Sequence, residues 1–323
     1  MFLPRRAFLA VTAQLLATAT QAQTGAFPSR PVTLVSPYAP GGGNDILSRI
    51  LAEQLRKLWG QPVQVDNRAG AGGNIGTNMV AKAAPDGYTL VMGSLSYAIN
   101  ASLYDTLPFD PIKDLVPVTM LTSGSYLLVT HPSLPVNSVK ELVALAKSKS
   151  GGLSYASAGN GSGGHLGMEM LKSSAGVDIV HVPYKGSGPA MNDTVGGQTM
   201  IDMDNTIVLG TQVKAGRLRA LAVTGLQRSA QVPDVPTMVE AGFPGFEVNP
   251  WFGLLAPAGT PRAVVDKISA DCAKVLALPE VRERLRTLGA DPVGSTPEQF
   301  SSYVVAEIEK WRKVVKATGT RVD

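Results

Sequence analysis

The chain has 323 residues, 44% of them hydrophobic, and a formal net charge of +4, values that fit a globular protein of about two domains with room for a sizeable core. The basic residues are scattered through segments such as Arg282 to Arg286, so the concentrated basic surface that nucleic acid needs is missing and that partner class is excluded. Cys272 is the single cysteine, which rules out an intrachain disulfide or a multi-cysteine zinc site. Its setting among Val264, Val265, Ile268, Val275 and Leu276 is helical core spacing.

In chain order, Arg5 and Arg6 precede an uncharged, mostly apolar run from Ala7 to about Thr20, and Thr20-Gln21-Ala22 offers a small-x-small cleavage site. Residues 1–22 therefore read as a signal peptide, because the run falls short of the roughly 20 residues a spanning helix needs. Arg5-Arg6-Ala7-Phe8-Leu9 resembles the twin-arginine export signal. General secretory signals also begin with two arginines, so both routes stay open. Gln23 stands directly after the cleavage site, where a lipid anchor would need a cysteine.

From Val32 onward a short apolar strand, a loop rich in Gly and Ser and an amphipathic helix follow one another repeatedly. That grammar predicts an α/β fold with parallel or mixed sheets flanked by helices. The first unit is strand Val32 to Ser36, loop Pro40-Gly41-Gly42-Gly43-Asn44-Asp45, and a helix with Ile46, Leu47, Ile50, Leu51, Leu55 and Leu58 on one face. Asn44 or Asp45 is placed to cap it. Further strands are expected at Val63 to Val65, Thr89 to Met92, Tyr126 to Val129, Leu153 to Ala156, Ile179 to Pro183, Met200 to Met203 and Leu218 to Val223. Helices are expected over Val139 to Lys147, from about His165 to Ser173, after Pro189, and from about Pro261, Pro279 and Pro297. The chain crosses between two lobes near His131 to Pro135 and returns near Phe246 to Pro257. The expected division is lobe 1 over 23–126 plus 248–323 and lobe 2 over 127–247. Ligands of such sheets sit at the carboxyl ends of the strands, in the cleft between lobes.

Four strand-to-helix loops carry the chemistry: Tyr38 to Asp45, Gly93 to Tyr97, Ser157 to Gly164 and Tyr184 to Gly188. Glycine lets the backbone turn its N–H groups toward a ligand, and a helix N-terminus adds partial positive charge, so the set suits an anion. Gly159-Asn160-Gly161-Ser162-Gly163-Gly164 matches G-x-G-x-x-G, but the next strand ends in Tyr184 and Lys185 instead of the acid a dinucleotide ribose requires. No H-E-x-x-H or G-x-S-x-G occurs, and His131, His165 and His181 belong to no such motif. His165 either points into the cleft or caps its helix, and His181 fits a satisfied core residue. Asp202 and Asp204 project from one strand face. Without a nucleophile or metal set to work with, Asp204 is divided between lining the cleft and making an ordinary hydrogen bond. A hydrolase or isomerase is therefore disfavoured, and neither a metal nor a cofactor is expected.

From Pro28 nearly to the C-terminus the sequence resembles the Bug family, the TctC-type extracytoplasmic receptors of tripartite tricarboxylate transporters. The strings that carry the resemblance are Pro40 to Asp45, Asn67 to Gly76, Ala84 to Leu90, Tyr155 to Ser162, His181 to Gly186, Val235 to Gly242 and Trp251 to Pro257. It implies a two-lobed periplasmic-binding-protein fold of the type II-like class and a hinged cleft that closes on a small carboxylate. A membrane transporter of the tripartite tricarboxylate type is the implied partner, and the periplasm the implied location. The ligand residues it implies are Tyr38, Gly41 and Gly42 in the first loop and Ser94 in the next. Ser157, Asn160, Ser162, Tyr184, Gly186 and Asp204 are implied in the second lobe. Two departures stand out: Met200 occupies a position where the family often has an acid, and Tyr38 one where it often has Phe. A sensor module that presents the closed form to a histidine kinase is the alternative role.

Overall fold

A computed structural model describes residues 27–322; the expected signal peptide lies outside them. Strands β1 (Val32–Ser36), β2 (Val63–Asn67) and β3 (Thr89–Ser94) run parallel, with β1 central. β10 (Trp251–Pro257) joins β3 antiparallel, followed by β4 (Leu115–Gly124) and the edge strand β11 (Ala290–Pro292). The six-stranded order is thus β11-β4-β10-β3-β1-β2. Helices α1 (Gly43–Trp59), α2 (Asn74–Ala81) and α3 (Leu95–Leu103) belong to this layer, as do α8 (Arg262–Ala277), α9 (Pro279–Leu288) and the long α10 (Pro297–Thr318).

The second sheet holds β5 (Tyr126–Thr130), β6 (Ser154–Ser157), β7 (Val180–Pro183), β8 (Ile201–Asn205) and β9 (Arg219–Val223), in the order β7-β6-β8-β5-β9. β6 pairs parallel with β7 and β8, and β5 pairs antiparallel with β8 and β9. α4 (Val139–Ser148), α5 (Gly163–Ala175), α6 (Ser187–Val195) and α7 (Thr206–Lys214) flank it. The chain passes between sheets at Ser125 and returns in the stretch from Val223 to Trp251.

Local chemistry explains the element ends. β1 is almost wholly buried, as a strand covered on both faces must be. α1 stops at Gly60, whose left-handed backbone (φ 64°) lets its N–H return to the Arg56 carbonyl. Its start differs from expectation: Gly42 is the N-cap and offers no side chain. Asp45, three residues on, instead reaches back so that Gly41 N–H donates to its Oδ2 at 3.0 Å, while Asn44 Nδ2 donates to the Met92 carbonyl at 2.8 Å. α5 begins at Gly163, ahead of the expected His165, because the Ser162 hydroxyl accepts the His165 N–H. β8 is shifted to 201–205, so Met200 lies just outside the strand.

β4 carries no clean alternation and contains Pro117, which cannot donate to a ladder. The strand accommodates it at a register shift: Leu254 pairs with Thr119 and Leu255 with Pro117, leaving Val118 between them. One buried apolar cluster runs from Val91 and Leu95 through Trp251, Phe300 and Trp311 to Leu128, Leu166 and Met203, and so joins the two layers. Trp251 is fully buried in β10, with Phe300 and Tyr303 packed edge-on against it. Trp251→Ala should lower unfolding stability by about 3–5 kcal/mol in urea titration; a loss below about 1 kcal/mol would show that the core does not depend on this contact.

Candidate functional site

The carboxyl ends of the strands from both sheets face one another, and the loops leaving them touch. Ala39 N–H donates to the Lys185 carbonyl at 3.0 Å, a backbone bond between the first loop and the β7–α6 loop. Gly188 packs so closely on the first loop that a Cβ there would lie 2.4 Å from the Pro40 carbonyl oxygen. Gly72 (φ 61°) similarly meets the Asn160 carbonyl oxygen, with 2.4 Å left for a Cβ. Side chains at either glycine would hold the sheets apart.

Between these contacts lies a small inner cavity of about 20 Å³. Its wall is formed at the start of five helices: Asn44 of α1, Ser94 and Ser96 of α3, Ser162 to Gly164 of α5, Ser187 of α6 and Asn205 of α7. The first turn of a helix carries N–H groups without intrahelical partners, so five positive dipole ends border the cavity. Tyr38, Tyr126 and Phe252 supply aromatic walls, and among the described residues no Lys, Arg or His lines the cavity. A second pocket of about 160 Å³ lies outside it, lined by Gly70 to Gly73, Tyr104, Ala158 to Asn160 and Pro183 to Lys185. Tyr38 and Ala158 border both pockets. The Tyr38 hydroxyl donates to the Gly72 carbonyl at 2.9 Å, and Asn100 Nδ2 donates to the same oxygen. Burial pushes the Tyr38 phenol up to about 12, so it stays a neutral donor at physiological pH.

The first loop is held by a network below it. Asp45 accepts from Gly41 N–H, from Asn67 Nδ2 at 3.0 Å and from Arg49, and Asn67 also donates to the Tyr38 carbonyl. Although burial alone would raise the Asp45 carboxyl, these donors together hold it below the usual range. The Ser157 to Gly164 loop is held by two imidazoles. His181 stacks between Tyr155 and His165, with centroids 4.8 and 4.1 Å away. Burial lowers His165 to about 4, and burial plus the neighbouring His165 lowers His181 to about 3. Both rings are therefore neutral near pH 7, which lets His165 Nδ1 accept the Gly161 N–H. Of the two roles open to His165, the structure assigns it the support of its own loop. His181 is only part-buried and is tied to the Ser157 hydroxyl at 2.6 Å.

Tyr38, Ser94, Ser162 and Asp204 meet at the inner cavity, and Asn160 and Tyr184 at the outer pocket with Tyr38. Gly41, Gly42 and Gly186 form the loop contact instead: a Cβ on Gly42 would stand 3.3 Å from that of Ser187, and one on Gly186 3.0 Å from Ala39 N. Ser157 is fully buried and bonded to His181 and Gly159, outside both linings. Sequence reasoning missed Asn44, Ser96, Tyr126, Ser187, Asn205 and Phe252. Three of them carried a readable signal, since Asn44, Ser187 and Asn205 each open a helix directly after a strand or Gly turn. Among the described residues no cluster of His, Cys, Asp or Glu could hold a metal, and no helix is long and apolar enough to cross a membrane.

Residues 47–320 match the tripartite tricarboxylate transporter family receptor. The chain belongs to this family. Its fold is that of the two-lobed periplasmic binding proteins: the periplasmic binding protein BugD is 38% identical with a TM-score of 0.89, over 91% of this chain and 99% of that one. Rpa4515 of R. palustris, solved with adipate, is 39% identical with a TM-score of 0.89, over 91% and 99% of the two chains. MatC of Rhodopseudomonas palustris, solved with bound malate, is 37% identical with a TM-score of 0.86, over 90% and 100%. The family comprises solute receptors, and this receptor is accordingly no enzyme.

Below the cavity, β8 buries two acids. Both oxygens of Asp202 lack a hydrogen-bond partner, and the side chain is fully enclosed. Burial, with Asp204 adding like charge, raises its carboxyl well above the ordinary value. The unfolded group titrates near 3.8, so above that pH the folded receptor binds more protons than the unfolded chain and loses stability as pH rises. The histidines have the opposite sign, since their lowered values remove stability as pH falls from about 6.5. Asp202→Asn isolates the acid: its melting temperature should match that of the parent at pH 4 and exceed it increasingly toward pH 8. A gap that does not change with pH would contradict the assignment.

Proposed function

We propose that the chain is an exported, periplasmic receptor that closes two lobes over a small carboxylate and hands it to a membrane transporter of the tripartite tricarboxylate type. The observation that carries this reading is the convergence of five helix N-termini on a cavity that no cationic side chain lines. Each such terminus favours an anion by roughly 0.3–1 kcal/mol when exposed and up to about 2 kcal/mol when partly buried. Backbone dipoles and hydroxyls hold a carboxylate without the full charge of a lysine or arginine, which suits a receptor that must release its cargo. The acids in the similar structures, adipate and malate, are of this class.

On this reading the lobes are 23–126 plus 248–323 and 127–247. The ligand contacts come from Tyr38, Ser94, Ser162 and Asp204 inside and from Asn160 and Tyr184 at the mouth. Gly41, Gly42 and Gly186 permit closure, and Ser157 holds its loop. Ligand binding favours the closed pair of lobes, and the closed shape is what the transporter recognises.

Gly188→Ala tests closure directly. The added Cβ would meet the Pro40 carbonyl only when the lobes are shut, while alanine suits the first turn of α6 better than glycine does. In calorimetric titration across a panel of mono-, di- and tricarboxylates, the parent should bind at least one acid. At 100 times the dissociation constant, that acid should add about 2.7 kcal/mol of stability. The variant should bind the same acid at least ten-fold more weakly with an undiminished melting temperature. If no acid binds a ligand-free preparation, the carboxylate reading fails; if Gly188→Ala binds as the parent does, closure at this contact fails.

A further inference from the structure

The inner cavity offers acceptors as well as donors. Asp204 closes β8 with only 3% of its surface exposed. Its Oδ1 accepts from the Asn205 N–H at 2.7 Å and from Asn205 Nδ2 at 2.6 Å. Among the described residues its Oδ2 has no partner, and neither has Asn205 Oδ1, although both residues line the cavity and are buried. The Ser187 hydroxyl is near enough to lower the Asp204 carboxyl somewhat, yet it makes no hydrogen bond to it; burial dominates and raises the group to about 6.

A buried acceptor left without a donor is costly, and more so when it is charged. Whatever fills the cavity must therefore bring a donor to Asp204. An unsubstituted dicarboxylate brings only acceptors when ionised, and a carboxylate set against Asp204 would add like-charge repulsion. A hydroxyl or ammonium on the carbon beside the carboxylate supplies what is missing, while the carboxylate itself takes the helix N-termini.

Resting on the receptor reading above, we propose that Asp204 is a specificity-determining residue: the cavity selects acids bearing a hydrogen-bond donor beside the carboxylate, with Asp204 Oδ2 accepting from that donor. The selection follows the rule that a site with a buried polar group rejects the analogue lacking its partner more strongly than any apolar pocket rejects a methylene. Hydroxyl and ammonium are two forms of this donor, and matched ligands separate them.

The test is calorimetric titration of the mature, dialysed receptor with succinate, malate and aspartate, and with glutarate, 2-hydroxyglutarate and glutamate. In one series or both, the hydroxy or amino acid should bind at least ten-fold more tightly than its unsubstituted parent. Asp204→Asn keeps the shape but turns the Oδ2 position from acceptor to donor. It should bring the ratio to within about two-fold. Equal affinities within both series on the unaltered receptor would overturn the selection, whether or not the variant folds. A ratio that survives Asp204→Asn would overturn the assignment to this residue. Binding of none of the six acids would overturn this inference together with the reading for small dicarboxylates, whereas equal binding leaves that reading standing.

Discussion

On the proposed function, a small anion is held between two sheets by partial charges alone, and the rest of the structure fits that constraint. α1 and α3 bring their first turns from the six-stranded layer, while α5, α6 and α7 bring theirs from the five-stranded layer. Neither layer owns the whole set, so the full field exists only when the layers are together. On the proposed function, that division links ligand to shape: an anion would stabilise the closed arrangement by the difference between five termini and two or three. It also explains the glycines. Where loop meets loop, at Gly72 and Gly188, the backbones approach more closely than a side chain allows, and the close approach brings the termini within reach of one ligand.

The second layer carries the titratable groups, and they are arranged so that charge stays out of the cavity wall. The stacked imidazoles sit behind the Ser157 to Gly164 loop and are kept neutral by burial, which leaves Nδ1 of His165 free to accept a backbone N–H and fix the loop's shape. Burial likewise raises the Asp202 carboxyl within β8, favouring its uncharged form. Asp204, which lines the cavity, is the exception, and its Oδ2 has no partner among the described residues.

Much of this was legible in the sequence because the governing signals are local. The Gly and Ser runs after β1, β6 and β7 announce strand-to-helix turns, and the apolar face from Leu47 to Leu55 announces α1. The three closing helices are marked by Pro261, Pro279 and Pro297 at their starts. Other features depend on tertiary pairing and left no such mark. β4 is interrupted by Pro117 and by polar Thr119 and Thr122, and it becomes a strand because β10 and β11 flank it. α2 is short and follows its loop without a polar gap, so no periodicity separates it from its surroundings. Within the site, residues that begin helices were readable, whereas Tyr126 and Phe252 reach the cavity from strands whose packing only the folded chain reveals. Ser157 shows the reverse case: its family string marks a ligand loop, but the hydroxyl is turned inward to His181.

The central claim is that the ligand is held by helix N-termini from both layers. A crystal structure of the receptor grown with a bound dicarboxylate tests it most directly. The account predicts a carboxylate in the cavity between Tyr38 and Asp204, hydrogen-bonded to first-turn N–H groups or hydroxyls of at least one helix from each layer, with no lysine or arginine in contact. A ligand lodged against one layer only, or paired to a cationic side chain, would contradict it.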